Sequence, residues 1–357
     1  MTNHQSPITN HQSKILFLTP WYPSAEDAMS GLFVQKHVEA VRAQGVEVRV
    51  IHAQTWRDTL QQWRTLRREG WMPDLVQLNV IQKQGLLALW LKKRYNIPYV
   101  IIEHWSGYLP ENATVKAHGL HLRFMQRVCS EAEVVMPVSH PLQQCMQALG
   151  FQAKRWQQIH NVVDDFFFKN PKSEIINHKS KTLLHVSCFD ERAKNVKGLL
   201  RAAKMLSLKR QDWQLVLVGT GIDYADVRSY AEQLQMPEGL LCWTGELTPR
   251  EVAEQMRRAD ALVLSSRYET YGVVLAEASA AGLPILSTPV GIAEEVADLI
   301  VPQEVAQHKP GRFADFIETI LWSPITNQQS PITNQFTADA IGCQLLSVYD
   351  SCLRHDI

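Results

Sequence analysis

The chain has 357 residues, with 36 Lys plus Arg against 36 Asp plus Glu, so its formal charge is zero, and 45% of its residues are hydrophobic. Balanced charge argues against a dedicated nucleic-acid binder, which carries a basic excess, and the apolar content excludes wholesale disorder. No apolar run reaches the ~18–20 residues that span a bilayer.

Residues 86–91 come nearest to such a run and are stopped by Lys92, Lys93 and Arg94. Residues 1–13 are polar, without the apolar stretch of a secretory signal. The six cysteines are scattered and form no Cys-x-x-Cys. That pattern points to reduced thiols and a cytoplasmic location, not to a disulfide framework or a zinc site.

The elements alternate from the start. Residues 14–19 are a continuous apolar run, the sign of a strand buried on both faces. A helical pattern over 32–44 ends at Gly45. Strands follow at 46–52, 75–80, 99–103 and 134–138, with helices at 85–95, 120–130 and 141–149. Trp56, Leu60 and Trp63 share one helical face, with Arg57, Arg64, Arg67 and Arg68 around them. Such a helix suits packing over the ligand cleft, or lying on an anionic membrane surface. The stretch 164–181 is polar, aperiodic and contains Pro171, and reads as an interdomain linker.

Alternation then restarts. Strands are predicted at 182–187, 215–218, 240–243, 261–264 and 285–287, with helices between them, and a last helix over 338–353. A polar seven-residue unit, Ser-Pro-Ile-Thr-Asn followed by two variable residues, begins at Ser6, Ser323 and Ser330. One Ile and one Pro per unit give no coiled-coil seam, so the copies at both places are read as low-complexity and outside the fold. Repeated β-α units imply an α/β protein of two doubly wound parallel-sheet domains facing across a cleft, with ligands at the carboxyl ends of the strands.

The most informative segment runs from Ser266 to Ala278. It follows a strand and opens a helix, so the amides near Tyr271 and Gly272 sit at a helix N-terminus that suits an anion. Glu269 in the loop and Glu277 in the helix can accept from hydroxyls at two ends of an extended ligand. Val218-Gly219-Thr220-Gly221 also follows a strand. It permits close approach of a nucleotide or phosphate, or is simply a tight strand-to-helix turn.

The Glu269, Glu277 spacing, followed by Ala278-Ser279-Ala280-Ala281-Gly282-Leu283-Pro284 and by residues 288–295, resembles the family 4 retaining glycosyltransferases of the GT-B fold. The resemblance covers about residues 14–300 and is most specific in the C-terminal motif. It implies a sugar transfer from a nucleotide-diphosphate donor to a hydroxyl acceptor with retained anomeric configuration, as in polysaccharide biosynthesis. By position, Glu269 would bind donor-sugar hydroxyls, Glu277 the ribose, and the Tyr271 and Gly272 amides the sugar or diphosphate. Lys194 matches the family's diphosphate-binding lysine. Position 188 departs, with Cys where members carry Arg, and Arg192 or Lys197 are the substitutes at hand. Gly31 matches a Gly-rich loop facing the donor phosphate, and His104, just past a strand end, a histidine that touches the donor sugar. Glu103 ranks below His104 as a contact.

The resemblance assigns 14–165 to an acceptor-side domain, 166–181 to a linker and 182–322 to a nucleotide-sugar-binding domain. A tail at 1–13 and a repeat at 323–336 are set apart, and 337–357 forms a helix packing back toward the first domain. No Asp-x-Asp occurs, so no obligatory metal or other cofactor is expected. The expected partners are a nucleotide-diphosphate sugar and a glycan or lipid-linked acceptor, without nucleic acid, and with peripheral contact to the inner membrane face as an extension. Two rivals are a nucleotide-sugar epimerase of the same architecture and a non-catalytic nucleotide-sugar binder.

Overall fold

A computed structural model describes residues 13–25, 27, 30–112, 114–115, 118–168, 180–323 and 332–354. Most of the expected tail, most of the linker and most of the second repeat lie outside them. The chain divides into two compact units, Met1–Val162 with Ala338–Ile357, and Val163–Thr337.

In the first unit the order is β1 (Lys14–Thr19), α1 (Leu32–Ala43), β2 (Glu47–His52), α2 (Trp56–Arg68), β3 (Leu75–Asn79), α3 (Gly85–Tyr95), β4 (Tyr99–Glu103), α4 (Leu120–Glu131), β5 (Val134–Pro137) and α5 (His140–Ala148). The strands pair in parallel in the order β2-β1-β3-β4-β5. Every residue of β3, β4 and β5 is buried, because helices cover both faces of a parallel sheet. Helix starts carry the expected chemistry. Thr55 caps α2 by accepting from the Asp58 amide, and Ser139 caps α5 with Pro141 in its first turn.

The second unit runs β6 (Lys181–Val186), α6 (Glu191–Lys194), α7 (Val196–Ser207), β7 (Trp213–Val218), α8 (Tyr224–Gln233), β8 (Leu241–Gly245), α9 (Pro249–Arg258), β9 (Ala261–Leu264), α10 (Val273–Ala280), β10 (Ile285–Ser287), α11 (Ala293–Val296), β11 (Leu299–Ile300), α12 (Gln303–His308) and α13 (Pro310–Trp322). Its parallel sheet has the order β11-β10-β9-β6-β7-β8. Leu183, Leu199, Leu215, Val263, Phe313 and Ile317 belong to one buried core between sheet and helices. α9 begins with a reciprocal capping box between Thr248 and Glu251.

The chain closes with α14 (Ala338–Leu353), which returns to the first unit and packs on α1. There the Tyr349 hydroxyl donates to Gln77 Oε1 on β3, and Gln44 Nε2 donates to Asp339 at 2.8 Å.

One expectation needs correction. The end of the second repeat is part of the fold. Ile332–Phe336 forms a 3-10 turn that packs against α10. Phe336 is fully buried, and its carbonyl accepts from the Val163 amide at 2.9 Å. The reason is the unit's last residue, where an aromatic ring replaces the polar one, and burial of a ring outweighs the polarity of its neighbours.

Candidate functional site

In each sheet the order reverses once. The second sheet reverses between β6 and β9, which are neighbours, and ligands of doubly wound sheets bind outside the carboxyl ends of the strands at such a switch point. The loops leaving β6 and β9 meet there. Lys194 Nζ lies 2.5 Å from Glu269 Oε1, with the two side chains only 15% and 14% exposed. Ser266 Oγ donates to the same oxygen at 2.8 Å. Burial disfavours the Lys194 ammonium, but the Glu269 carboxylate, with Cys188 and Asp190 beyond it, outweighs that and holds the amine above the ordinary lysine value. An ammonium has three donors. One goes to Glu269, and no other partner of Nζ is found among the described residues.

Local structure aims this lysine. α6 is a single turn, capped by the Asp190 carboxylate on the Ala193 amide, and stopped by Asn195 in the left-handed region at φ 52°. Arg267, which the sequence reading passed over, clamps that turn. Its guanidinium donates to the Glu191 carbonyl and to Asn195 Oδ1 at 3.0 Å, and lies 3.5 Å from the Glu191 carboxylate. Its amide donates to the Ala193 carbonyl at 2.6 Å. Ser265 Oγ donates to the Lys194 and Asn195 carbonyls, and Gln303 Nε2 holds the carbonyls of Ser266 and Arg267 from α12. The signal available in the sequence was an Arg two residues before the motif's first Glu.

α10 starts at Gly272, with no side-chain cap on its first amides. Gly272 adopts φ 80°, and a Cβ there would meet Leu275 at 2.9 Å and the Glu269 side chain at 3.9 Å. Tyr271 is buried, and its carbonyl accepts from the Ile292 amide at 2.9 Å. Gly291, at φ 54°, lies so close that a Cβ would sit 2.1 Å from that carbonyl oxygen. The loop after β10 is therefore the floor on which the Tyr271-Gly272 turn rests. Glu277 is half-buried on α10.

The structure places the remaining candidates of this unit differently. Gly219 and Gly221 lie against the chain itself, where Cβ atoms would meet the Ser187 carbonyl at 2.0 Å and the Phe189 amide at 2.5 Å. Their lack of side chains seats the loop after β7 on the loop after β6. Lys197 is not a substitute cation for the loop, because it bonds Asp226 on α8 at 2.6 Å and stacks over Tyr230. Arg192 and Cys188 are exposed on the loop after β6.

In the first unit Glu103 is fully buried and accepts four hydrogen bonds: from the amides of His104, Trp105 and Ile81 and from the Tyr108 hydroxyl, at 2.8–3.0 Å. It staples the loop after β3 to the loop after β4, and is not a ligand contact. Burial raises its pKa, against the pull of those four donors. His104 is buried, its ring 4.3 Å from Phe33 and 5.8 Å from His37. Its Nε2 is enclosed without a hydrogen-bond partner. Burial first, and His37 second, hold it well below the ordinary histidine value, so it is neutral. Gly31 caps α1 at φ 65°, and a Cβ there would meet the Trp21 carbonyl at 2.3 Å. It fixes the Trp21-Tyr22 backbone against the helix start.

The aromatic-basic surface is also relocated. Trp63 on α2 is buried, so that helix uses its apolar face on its own domain. On α3 it is Leu86, Trp90 and Tyr95 that stand exposed, with Arg94 over Tyr95 and Lys93 exposed on the same helix. No helix of the described residues is long and apolar enough to cross a membrane, and among them no group of three His, Cys, Asp or Glu is arranged to hold a metal ion.

Two family profiles match in tandem: "Glycosyltransferase Family 4" over residues 10–165 and "Glycosyl transferases group 1" over residues 166–334. The chain belongs to glycosyltransferase family 4. Among family relatives it is 31% identical over 173 residues to N-acetyl-alpha-D-glucosaminyl L-malate synthase of Bacillus anthracis, covering 46% of this chain and 44% of that protein. It is 25% identical over 189 residues to lipopolysaccharide 1,6-galactosyltransferase of Salmonella typhimurium, covering 52% and 51%. The chain thus matches about half the length of these curated relatives. The fold is GT-B. A sucrose-phosphate synthase from Thermosynechococcus elongatus superposes with a TM-score of 0.72 at 17% identity, covering 96% of this chain and 100% of that one. HepE of Anabaena, solved with UDP and glucose, superposes with a TM-score of 0.69 at 18% identity, covering 95% and 100%.

Proposed function

We propose that this family 4 protein transfers a glycosyl group from a nucleoside-diphosphate sugar to a hydroxyl of a glycan or lipid-linked acceptor, with retention of anomeric configuration. The observation that supports this most is the Lys194–Glu269 pair at the β6/β9 switch point, beside the uncapped start of α10. Lys194 keeps N–H donors for diphosphate oxygens, and the α10 amides add a partial positive charge. Glu269 has Oε1 engaged by Lys194 and Ser266, so Oε2 is the oxygen that would accept from donor-sugar hydroxyls. Glu277, further along α10, would accept from the ribose.

The reaction breaks the bond between the anomeric carbon and the diphosphate oxygen and forms one to the acceptor oxygen. Retention requires both events on one face of the sugar, with the acceptor proton passing to the departing phosphate. The protein's contribution is then charge stabilisation and positioning. We further propose that Lys194 and the helix amides meet the leaving-group charge without an obligatory metal.

Incubation with a panel of nucleotide sugars and candidate glycan and glycolipid acceptors, read by product mass and anomeric coupling constants, tests this. New glycoside with the donor's configuration supports it, and unchanged rate after chelation supports the metal-free form. A converted donor sugar without acceptor would instead indicate an epimerase. Tight nucleotide binding with no product against any acceptor would indicate a binder, and inverted product would refute retention. Binding to phosphatidylglycerol vesicles, lost on Trp90→Glu, tests the extension that α3 touches an anionic membrane face.

A further inference from the structure

His185 stands near the carboxyl end of β6, at the same switch point as Lys194, and is fully buried. Both of its ring nitrogens are engaged. Nδ1 lies 3.0 Å from the Val263 carbonyl on β9, and Nε2 lies 2.8 Å from Ser187 Oγ. A carbonyl can only accept, so Nδ1 carries the proton of the neutral ring and Nε2 is a bare acceptor. Ser187 therefore donates its hydroxyl inward, to the ring. Ser187 is half-buried, follows the last residue of β6 and opens the loop that leads to Lys194. Its backbone is fixed there. The Ser187 amide donates to the Val218 carbonyl at 3.1 Å, and a Cβ on Gly219 would sit 2.0 Å from the Ser187 carbonyl oxygen.

A hydroxyl that donates inward turns only lone pairs toward a ligand. That arrangement is wrong for a diphosphate, whose oxygens also only accept. One proton resolves the conflict. A protonated ring donates from both nitrogens, to the Val263 carbonyl and to Ser187 Oγ, and the Ser187 hydroxyl is then free to turn outward. The heavy atoms keep their places, and every donor has an acceptor in both states.

The surrounding charges decide which state holds. Leu217 pairs with His185 across the β6–β7 register, and Phe189 meets its ring edge-on at 6.2 Å. The charge that bears on the ring is the Lys194 ammonium, with Glu269 and Asp190 beyond it. Burial first, and Lys194 after it, hold the imidazole at about 4, against the pull of the Val263 carbonyl. A diphosphate on Lys194 would bring negative charge to the place from which a positive charge now opposes protonation.

We infer that the Ser187–His185 pair is a proton-linked grip on the donor's diphosphate. When the nucleotide sugar binds, His185 takes up one proton from solvent, and the Ser187 hydroxyl turns from the ring to a phosphate oxygen. No covalent bond between heavy atoms changes. Ser187 touches the substrate, and His185 is a positioning residue that acts through it. The inference rests on the donor reading above and adds to it that donor affinity rises as pH falls.

Calorimetric titration of the full chain with a panel of nucleoside-diphosphate sugars tests it. Their diphosphates are diesters and do not titrate near neutrality, so proton uptake reports the protein. In buffers of low and high ionisation enthalpy, the wild type should take up roughly 0.3–1 proton per site at about pH 5.5. Its affinity should rise by up to roughly tenfold per pH unit below about 6.5. His185→Gln should abolish the uptake and flatten the pH profile. Ser187→Ala should weaken donor binding roughly tenfold at the lower pH, for one hydrogen bond to a charged group. Proton–nitrogen correlation NMR of the wild type with labelled histidines reads the ring itself. It should show a neutral Nδ1–H form in the free protein and an imidazolium in the donor complex. Uptake that persists in His185→Gln, donor binding without uptake, or a ring that stays neutral in the complex would overturn this inference alone. Failure of the wild type to bind any nucleoside-diphosphate sugar would overturn the donor reading, and this inference with it.

Discussion

Replacing Lys194 with Ala removes the cation at the β6/β9 switch point. Two effects should separate. In the free protein, Glu269 loses its ion-pair partner while 14% exposed. Breaking a buried pair from one side costs about 3–5 kcal/mol. Glu269 keeps the Ser266 hydroxyl, so the low end applies, about 3 kcal/mol, or roughly 6–12 °C in Tm for a unit of this size. In the complex, one charged hydrogen bond to diphosphate is lost, about 1.5–3 kcal/mol, which is roughly 10- to 150-fold in Kd. Calorimetric titration with UDP and GDP, using whichever the wild type binds, reads the second effect, and differential scanning fluorimetry reads the first. Lys194→Arg keeps the charge and should restore part of both. The pair's pH dependence has a fixed sign. Lys194 is held above its unfolded value, so its contribution is complete below about pH 10.5 and is lost as pH rises through the folded value. Nucleotide affinity within twofold of wild type in a folded Lys194→Ala protein would refute the assignment of this lysine to the diphosphate.

Three further outcomes follow from the geometry. Glu277→Gln should narrow the preference for ribose over 2′-deoxyribose nucleotides, measured by competition, since the amide retains one acceptor where the carboxylate has two. Glu103→Gln replaces an acceptor oxygen with an NH₂ facing an existing donor. It should destabilise the chain by about 2–4 kcal/mol in urea unfolding, and a loss below 1 kcal/mol would contradict the four-bond staple. His37, His160 and His185 are each depressed to about 4, burial being the largest cause. The unfolded chain therefore binds more protons, and stability should fall from pH 6.5 toward 4 with a slope of up to ~1.4 kcal/mol per pH unit for each histidine. His185→Gln should remove about one proton from the uptake on unfolding.

The sequence by itself determined the architecture. Strands buried on both faces read as unbroken apolar runs, and the alternation of runs with helical periods dictated two doubly wound sheets. It also determined the residues of the C-terminal motif, because Glu269, Gly272 and Glu277 lie within nine residues of one another and share a loop and one helix. Contacts between distant segments were decided only by tertiary structure. Lys194 and Glu269 are 75 residues apart, and the place of Arg267 two residues before Glu269 does not by itself show that it clamps the turn that aims one at the other. Periodicity puts Trp63 on an apolar face, and Trp90 sits in the apolar run 86–91, but neither pattern shows which ring another element will cover. Packing buried the first and exposed the second. The same limit hid the role of Glu103, since a carboxylate at a strand end reads as a ligand contact until four donors from two loops are found around it. Local sequence sets what a segment can form. Which buried polar groups find partners is decided by the folded neighbourhood, where an unmet charge or amide costs enough to select one arrangement.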